Sequence, residues 1–444
     1  MTQFRTIIRI VGLLLLIPIG QLYADIQIRI TPLLNVTQSY EDNIDLEKNN
    51  TKSDYIVVVS PGIKLLASTK SSRLKLDYSP GFSFYAKYNE YNTVRHRAGL
   101  DYFYRWNQKV QLNVRDQYYR TEDYFELPQD AVIAGTKIRK GRNTVDSNEA
   151  VASVDYRFGP EDKFTVGYRH RLLRNQDPRY NDAEEHGPFA EFDYWMSKRQ
   201  GIRLGYLYIR GTYDTREDQP LTLNTDDYDG HRADARYMFR FSPQTSVYTR
   251  YAYSTRNFDR VSSEDYHVHE AAFGIDHAVS RRASLFAEGG YFWKEREQAP
   301  KDRVEGYLAG AGWNQRFEHG TLQLGVQHGW DDGLLEEEVR GFTRYWSYQA
   351  RVSRQLSRHT EAYAGGLMRT NDYELKEDET VAQAGVGISA RLKEWLYMTL
   401  GVDHRRLISD NPDNEYQDNR VFLLLSAEAT RPYMFGTKVH GNSP

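Results

Sequence analysis

From Asp25 onward the chain alternates. In Ile26-Gln27-Ile28-Arg29-Ile30-Thr31, apolar and polar residues trade places strictly. In Leu322 to Trp330 one face reads Leu322, Leu324, Val326, His328 and Trp330, and the other Gln323, Gly325, Gln327 and Gly329. Ala382, Ala384, Val386, Ile388, Ala390 and Leu392 stand against Gln383, Gly385, Gly387, Ser389 and Arg391. A period of two puts successive side chains on opposite faces of a strand, which an amphipathic helix with its period of about 3.6 does not reproduce. No sustained i, i+3, i+4 pattern occurs beyond residue 25.

The alternation predicts about twenty strands, with eighteen as the alternative. They start near residues 25, 54, 72, 93, 108, 147, 162, 186, 200, 229, 245, 265, 283, 303, 320, 343, 359, 380, 396 and 417. Their connections alternate in length. One set is tight, as at Lys70-Ser71, Gly159-Pro160-Glu161, Ser242-Pro243-Gln244 and Ser357-Arg358. The other is longer, polar and acidic, as at Glu41 to Ser53, Thr121 to Asn143, Gln176 to His186, Asp214 to Asp227 and Asp331 to Glu338. Short turns at one rim and long loops at the other define an all-β, transmembrane, antiparallel up-and-down β-barrel. A soluble sandwich would leave its second face to vary freely in water. Here one face is rich in Ala, Leu, Val and aromatics in nearly every segment. An even strand count closes the sheet and removes the edges that aggregate.

Composition alone points elsewhere. Of 444 residues, 40 % are hydrophobic and 27 % charged, figures that read as soluble. A barrel hides its apolarity in alternation, because only every second residue meets lipid. Aromatics reach 14 %, with 34 Tyr and 19 Phe, and Tyr and Trp gather at lipid–water boundaries. Cys is absent, which removes disulfides, zinc ribbons and thiol catalysis. A net charge of −3 gives no reason to expect a nucleic acid as partner. Residues 1–24 read as a signal peptide: Arg5 and Arg9 precede an apolar run, Ile10 to Ile19, and Ala24 stands at the cleavage position. The expected organisation is a signal peptide at 1–24, a barrel at 25–435 and a short tail at 436–444. In the final strand Val421, Leu423, Leu425, Ala427, Ala429, Tyr433 and Phe435 share one phase. Tyr433 and Phe435 resemble the terminal aromatic signal read by the barrel-assembly machinery.

The first hundred residues carry a set of words: Ile30-Thr31-Pro32, Ser39-Tyr40-Glu41-Asp42-Asn43-Ile44, Ser60-Pro61-Gly62, Leu76-Asp77-Tyr78-Ser79-Pro80-Gly81-Phe82 to Tyr85, and Asn92-Thr93-Val94-Arg95-His96. Together they resemble the putative β-barrel porin type 2 family. Beyond about residue 110 the likeness is one of strand texture. The resemblance implies an outer-membrane barrel encoded near exopolysaccharide synthesis and export functions, with polysaccharide-export components as partners.

The phase opposite the apolar one should face the lumen, and it is rich in cations. It carries Arg29, Arg73, Lys75, Lys87, Arg95, Arg97, Arg105, Arg115, Arg157, Lys163, Arg169, Arg171, Arg203, Arg232, Arg236, Arg240, Arg351, Arg391 and Arg405. Acids in that phase are fewer: Asp77, Asp101, Asp155, Glu191, Asp193, Asp234, Asp276, Glu288, Asp403 and Glu428. A basic wall concentrates anions and depletes cations. The plainer alternative is that many of these pair across strands and stiffen the wall. The loop from Thr121 to Asn143 carries Lys137, Arg139, Lys140 and Arg142 and is a constriction candidate if it folds inward. His267, His269 and His277 share the phase of Ala271, Phe273 and Ile275, which assigns them to the lipid interface rather than to a metal. Glu184-Glu185-His186 reads as a solvated outer loop. No catalytic arrangement is recognised, and no cofactor or metal is called for.

The expected protein is a channel in the outer membrane of a diderm bacterium, with a basic lumen for anionic solutes, an exported anionic polysaccharide among them. Its expected partners are outer-membrane lipid and the assembly machinery. An accessory barrel with a closed lumen and a barrel enzyme are the alternatives.

Overall fold

The computed structural model describes residues 26–123, 142–177, 182–214, 227–259, 264–297, 303–331, 341–374 and 377–435. The expected signal peptide, the tail, and Lys137, Arg139 and Lys140 lie outside the described residues.

The strands follow the predicted alternation. The first seven are β1 (Gln27–Glu41), β2 (Asp54–Ser68), β3 (Ser72–Tyr85), β4 (Thr93–Arg105), β5 (Val110–Thr121), β6 (Val145–Arg157) and β7 (Lys163–Asn175). Next come β8 (Asp182–Trp195), β9 (Gln200–Asp214), β10 (Tyr228–Arg240), β11 (Thr245–Phe258), β12 (Tyr266–Ser280), β13 (Ala283–Arg296) and β14 (Val304–Phe317). The wall is completed by β15 (Gly320–Asp331), β16 (Thr343–Ser357), β17 (Thr360–Tyr373), β18 (Glu379–Lys393), β19 (Leu396–Ser409) and β20 (Tyr416–Glu428), with a short β21 (Tyr433–Phe435). Each pairs antiparallel with its sequence neighbours, and β1 also pairs with β20, so twenty strands close into a barrel. Eighteen is set aside.

Observed strand starts lie within a few residues of the predicted ones. The largest difference is at β8, which starts at Asp182 rather than near 186. Glu184, Glu185 and His186 are therefore strand residues, not loop. Both faces are polar there because the strand continues past the apolar band. The backbone ladder carries on where the hydrophobic alternation has stopped.

The register separates the two faces. Leu324 lies across from Trp313 and Ala350, all on the lipid side, while its neighbour Gln323 lies across from Asn314 and Arg351 on the lumen side. β21 continues β20 after a break. Glu428 opposes Leu33 and Tyr433 opposes Ile30, so two residues of β1 face four of the last strand. The two extra residues preserve parity, and Tyr433 and Phe435 stay outward, 61 % and 57 % exposed. Pro432 sits in the break, where its missing N–H interrupts no ladder.

The apolar core does not lie between layers. Its clusters sit on the inner wall toward the rim of long connections. One joins Val145, Leu173, Ala183, Ile209, Tyr213 and Tyr228. A second joins Tyr266, Val268, Phe292, Leu308 and Phe342. Two more form around Ile44, Ile56, Val58 and Tyr85, and around Leu46, Val381, Leu407 and Tyr416. Ile44 and Leu46 come from the β1–β2 connection, which therefore turns into the barrel mouth.

Candidate functional site

Glycines shape the lumen wall. Aromatic side chains from neighbouring strands lie flat over them instead of pointing at the axis. A β-carbon at Gly201 would stand 2.8 Å from the Trp195 ring, one at Gly306 2.5 Å from Phe292, and one at Gly387 2.5 Å from Tyr363. Glycine is needed where a ring approaches the backbone that closely. This explains why Gly recurs on the inward phase.

In the half nearer the long connections, the cations are buried and matched. Glu122 and Asp123, just past β5, and Arg142, just before β6, turn inward toward β4, β1, β19 and β20. Arg95 on β4 donates to Glu122 at 2.5–3.0 Å, and Ser83 and Tyr85 donate to the same carboxylate at 3.1 and 3.2 Å. Asp123, the next residue, lies 3.6 Å from Arg420, 3.8 Å from Arg405 and 3.7 Å from Arg142. Arg142 pairs with Glu41 and donates to the Ile44 carbonyl at 2.7 Å. Arg405 reaches Asp418 at 3.6 Å, and Arg420 reaches Asp403 at 2.7 Å. Burial alone would push the Asp123 carboxyl up, but Arg142, Arg405, Arg420 and Arg95 together hold it below the usual carboxylate range. Of the four basic loop residues predicted to form a constriction, Arg142 is described, and it anchors the loop from inside the lumen.

Midway down the wall, matching continues. Arg250 bridges Glu270 at 2.6 Å and Glu288 at 2.9 Å, and Arg232 reaches Glu270 at 3.0 Å. Arg169 and Arg171 share Glu185, with Arg169 at 3.0 Å. Arg236 stacks 3.4 Å from the Tyr248 ring centre and lies 3.7 Å from Asp276. A cavity of about 920 Å³ opens at mid-wall against β14 to β18, lined by Arg232, Arg250, Glu288, Arg351 and Tyr363. At the short-turn rim, Arg240 pairs with Glu161 of the β6–β7 turn at 2.6 Å and stacks on Trp195.

Toward the short turns of β1, β3 and β4 the picture changes. Arg29, Arg73, Lys75 and Arg105 are exposed to the lumen and make no ion pair among the described residues. Arg97, higher on β4 and opposite Tyr119, is likewise exposed and without an ion pair among them. Arg97 and Arg105 lie 5.6 and 5.4 Å from the Tyr119 and Phe103 rings. One ladder row runs Arg29, Leu66, Lys75, Asp101, Arg115, and its single acid is taken by Arg115 at 3.2 Å. Arg391, at the same rim on β18, contacts the His359 ring at 2.9 Å.

The strand phase also brings in residues that the sequence reading leaves out. Arg250, Arg256, Lys294, Arg369 and Arg420 point inward, as do Glu41, Glu185, Glu270, Glu379 and Asp418. Parity alone identifies them. Glu122 and Asp123 have no such signal, because parity means nothing outside a strand.

A family model described as "Putative beta-barrel porin 2" matches residues 197–429. That span lies where the sequence offers strand texture, not in the words of the first hundred residues. No curated protein matches the chain in sequence. Among solved structures the barrel is similar to a ferric enterobactin receptor of Pseudomonas aeruginosa, at 8 % identity and TM-score 0.51, over 90 % of this chain and 81 % of that one. It is similar also to the siderophore receptor PirA of Acinetobacter baumannii, at 6 % identity and TM-score 0.50, over 90 % and 80 %. For Pseudomonas aeruginosa OpdK, solved with vanillate, identity is 12 % and TM-score 0.43, over 90 % and 99 %. At such identities the likeness concerns the fold.

Proposed function

The chain belongs to the family of putative β-barrel porins 2, and from that premise we propose that it is an outer-membrane channel selective for anionic solutes. Its selectivity rests on unpaired cations at the periplasmic mouth. The observation that carries this reading is the group Arg29, Arg73, Lys75 and Arg105, open to the lumen and lacking carboxylate partners among the described residues. A low-dielectric wall focuses the field of such charges into the channel. Arg95, Arg169, Arg171, Arg232 and Arg405 have carboxylates beside them and contribute mainly to holding the wall and the loop. The short-turn rim is assigned to the periplasm by the usual asymmetry of such barrels.

The solute class we favour is an acidic polysaccharide moving outward. Rings that lie flat along the wall, such as Trp195 and Tyr363, offer sugar faces a stacking surface between the arginines. Residues 1–24 serve as the export signal, and Tyr433 and Phe435 as the assembly signal.

The test is the reversal potential in planar bilayers under a salt gradient, for the parent and for Arg73→Glu/Lys75→Glu/Arg105→Glu. The parent should prefer anions and the triple variant should not. A cation-selective parent, or a variant with unchanged selectivity, overturns the reading. A second reading, an accessory barrel closed at its outer half, is favoured by the buried clusters and ion network there. Absence of conductance in well-folded protein would select it.

A further inference from the structure

Two places on the outside of the barrel repeat one three-residue arrangement that plays no part in the lumen. On β12, His267 and His269 are two residues apart, and Glu295 of β13 lies directly across from His267. On β8, Glu184 and His186 are two residues apart, and His170 of β7 lies directly across from His186. Side chains two apart on a strand share a face, and directly opposed residues are near neighbours across the ladder. In both places the sheet therefore gathers two imidazoles and one carboxylate. In each set the three ligating atoms lie within 4.8 Å of one another.

The rings are also aimed. His267 Nε2 lies 3.0 Å from Glu295 Oε2. His170 Nε2 lies 2.8 Å from Glu184 Oε1, and His186 Nε2 lies 3.4 Å from the same atom. The far nitrogen of one histidine in each set is occupied by a tyrosine of the neighbouring strand. Tyr251 Oη lies 2.7 Å from His269 Nδ1, and Tyr168 Oη contacts His186 Nδ1. With Nδ1–H donating to the tyrosine oxygen, Nε2 presents its lone pair to the cluster. Outer partners of this kind commonly orient an imidazole ligand. Two other outward histidines have the tyrosine without the triad: His96 with Tyr78 at 2.9 Å, and His231 with Tyr206 at 2.8 Å. They belong to an interfacial aromatic belt. The two triads add the remaining ligands, which sequence distance conceals, since Glu295 is far from His267 along the chain.

We propose that each triad, His267/His269/Glu295 and His170/Glu184/His186, binds one zinc-like transition-metal ion on the outer wall near the long-connection rim. Two nitrogens, one oxygen and an open fourth position for water match the ligand preferences of Zn²⁺. The ion would tie neighbouring strands together and neutralise a carboxylate beside the lipid headgroups. This is independent of whether the lumen conducts.

The experiment uses untagged, chelator-stripped protein in detergent, with Zn²⁺ as the probe, read by calorimetry and equilibrium dialysis. Two ions per chain are expected. His267→Gln/His269→Gln should leave one, as should His170→Gln/His186→Gln, and the fourfold variant should leave none. Glu295→Gln should weaken its site by about tenfold or more, in the range seen when metal-site partners are removed. His96→Gln/His231→Gln is the belt control and should still bind two. No zinc bound by the parent, or two ions bound by the fourfold variant, overturns the proposal. Should a variant misfold, Co²⁺ added to the parent decides instead: visible bands of low-symmetry four- or five-coordination support the sites, and the spectrum of free aqueous Co²⁺ refutes them.

Discussion

The two halves of the lumen are built from the same strands in the same period, yet their charges are in opposite states. Near the long connections, Arg95, Arg142, Arg405 and Arg420 are surrounded by Glu41, Glu122, Asp123, Asp403 and Asp418. Near the short turns, Arg29, Arg73, Lys75 and Arg105 stand in open lumen without such partners among the described residues. The difference comes from chain length between strands. A long connection can fold back and deliver several carboxylates to the wall, whereas a short turn delivers one at most, as Glu161 to Arg240. Charge in the first half is structural, and charge at the short-turn ends of β1, β3 and β4 is left to act on a solute.

The largest effect that would separate the halves is at Arg405, which is 2 % exposed. Arg405→Ala leaves Asp123 and Asp418 short of a counter-charge. It should destabilise the barrel by about 3–5 kcal/mol, the usual result of removing one partner from a buried pair. Urea unfolding in lipid vesicles measures it, and a loss under about 1 kcal/mol would show the outer network to be as loose as the inner rim. Next in size is the contrast between the wall's faces. Leu324→Arg should cost roughly 2–4 kcal/mol and Gln323→Arg little, because one meets hydrocarbon and the other water. Equal losses would mean that the inside–outside assignment is wrong.

Smaller still, Arg73→Gln should change stability by no more than about 0.5 kcal/mol, as for ordinary solvated positions, while shifting the reversal potential toward cations. A stability loss like that of Arg405→Ala would erase the distinction between the halves. The smallest effect is one of pH. The Asp123 carboxyl titrates below its ordinary value of 3.8 in the folded protein. A depressed value contributes stability above the unfolded pKa, and that contribution is lost as pH falls through the folded one. The parent's advantage over Asp123→Asn should therefore stay constant from about pH 7 to pH 5 and shrink below about pH 4. An advantage that grows on acidification would contradict the sign.

Much of this architecture is legible in the chain. Strand starts at 54, 72, 93, 200, 245, 283, 320, 343 and 396 coincide with those predicted, because each follows a turn or loop into a clean alternation. The start of β8 is less legible, since Glu184, Glu185 and His186 carry no apolar face. Parity assigns Arg73, Arg97 and Arg240 to the lumen, and it applies equally to Arg250 and Arg420. It is silent on Glu122 and Asp123.

The sequence by itself determined the period, the strand count to within one hairpin, and which residues share a face. Those follow from local backbone geometry, which every residue in a strand obeys alone. Which arginine meets a carboxylate was decided only by the tertiary structure. Barrel closure and the inward turn of the chain just past β5 bring Asp123 to Arg405 on β19 and Arg420 on β20. No local rule contains a distance between residues that far apart in the chain. The same holds for Glu295 beside His267, where the pairing register makes a cluster of residues that the sequence keeps apart.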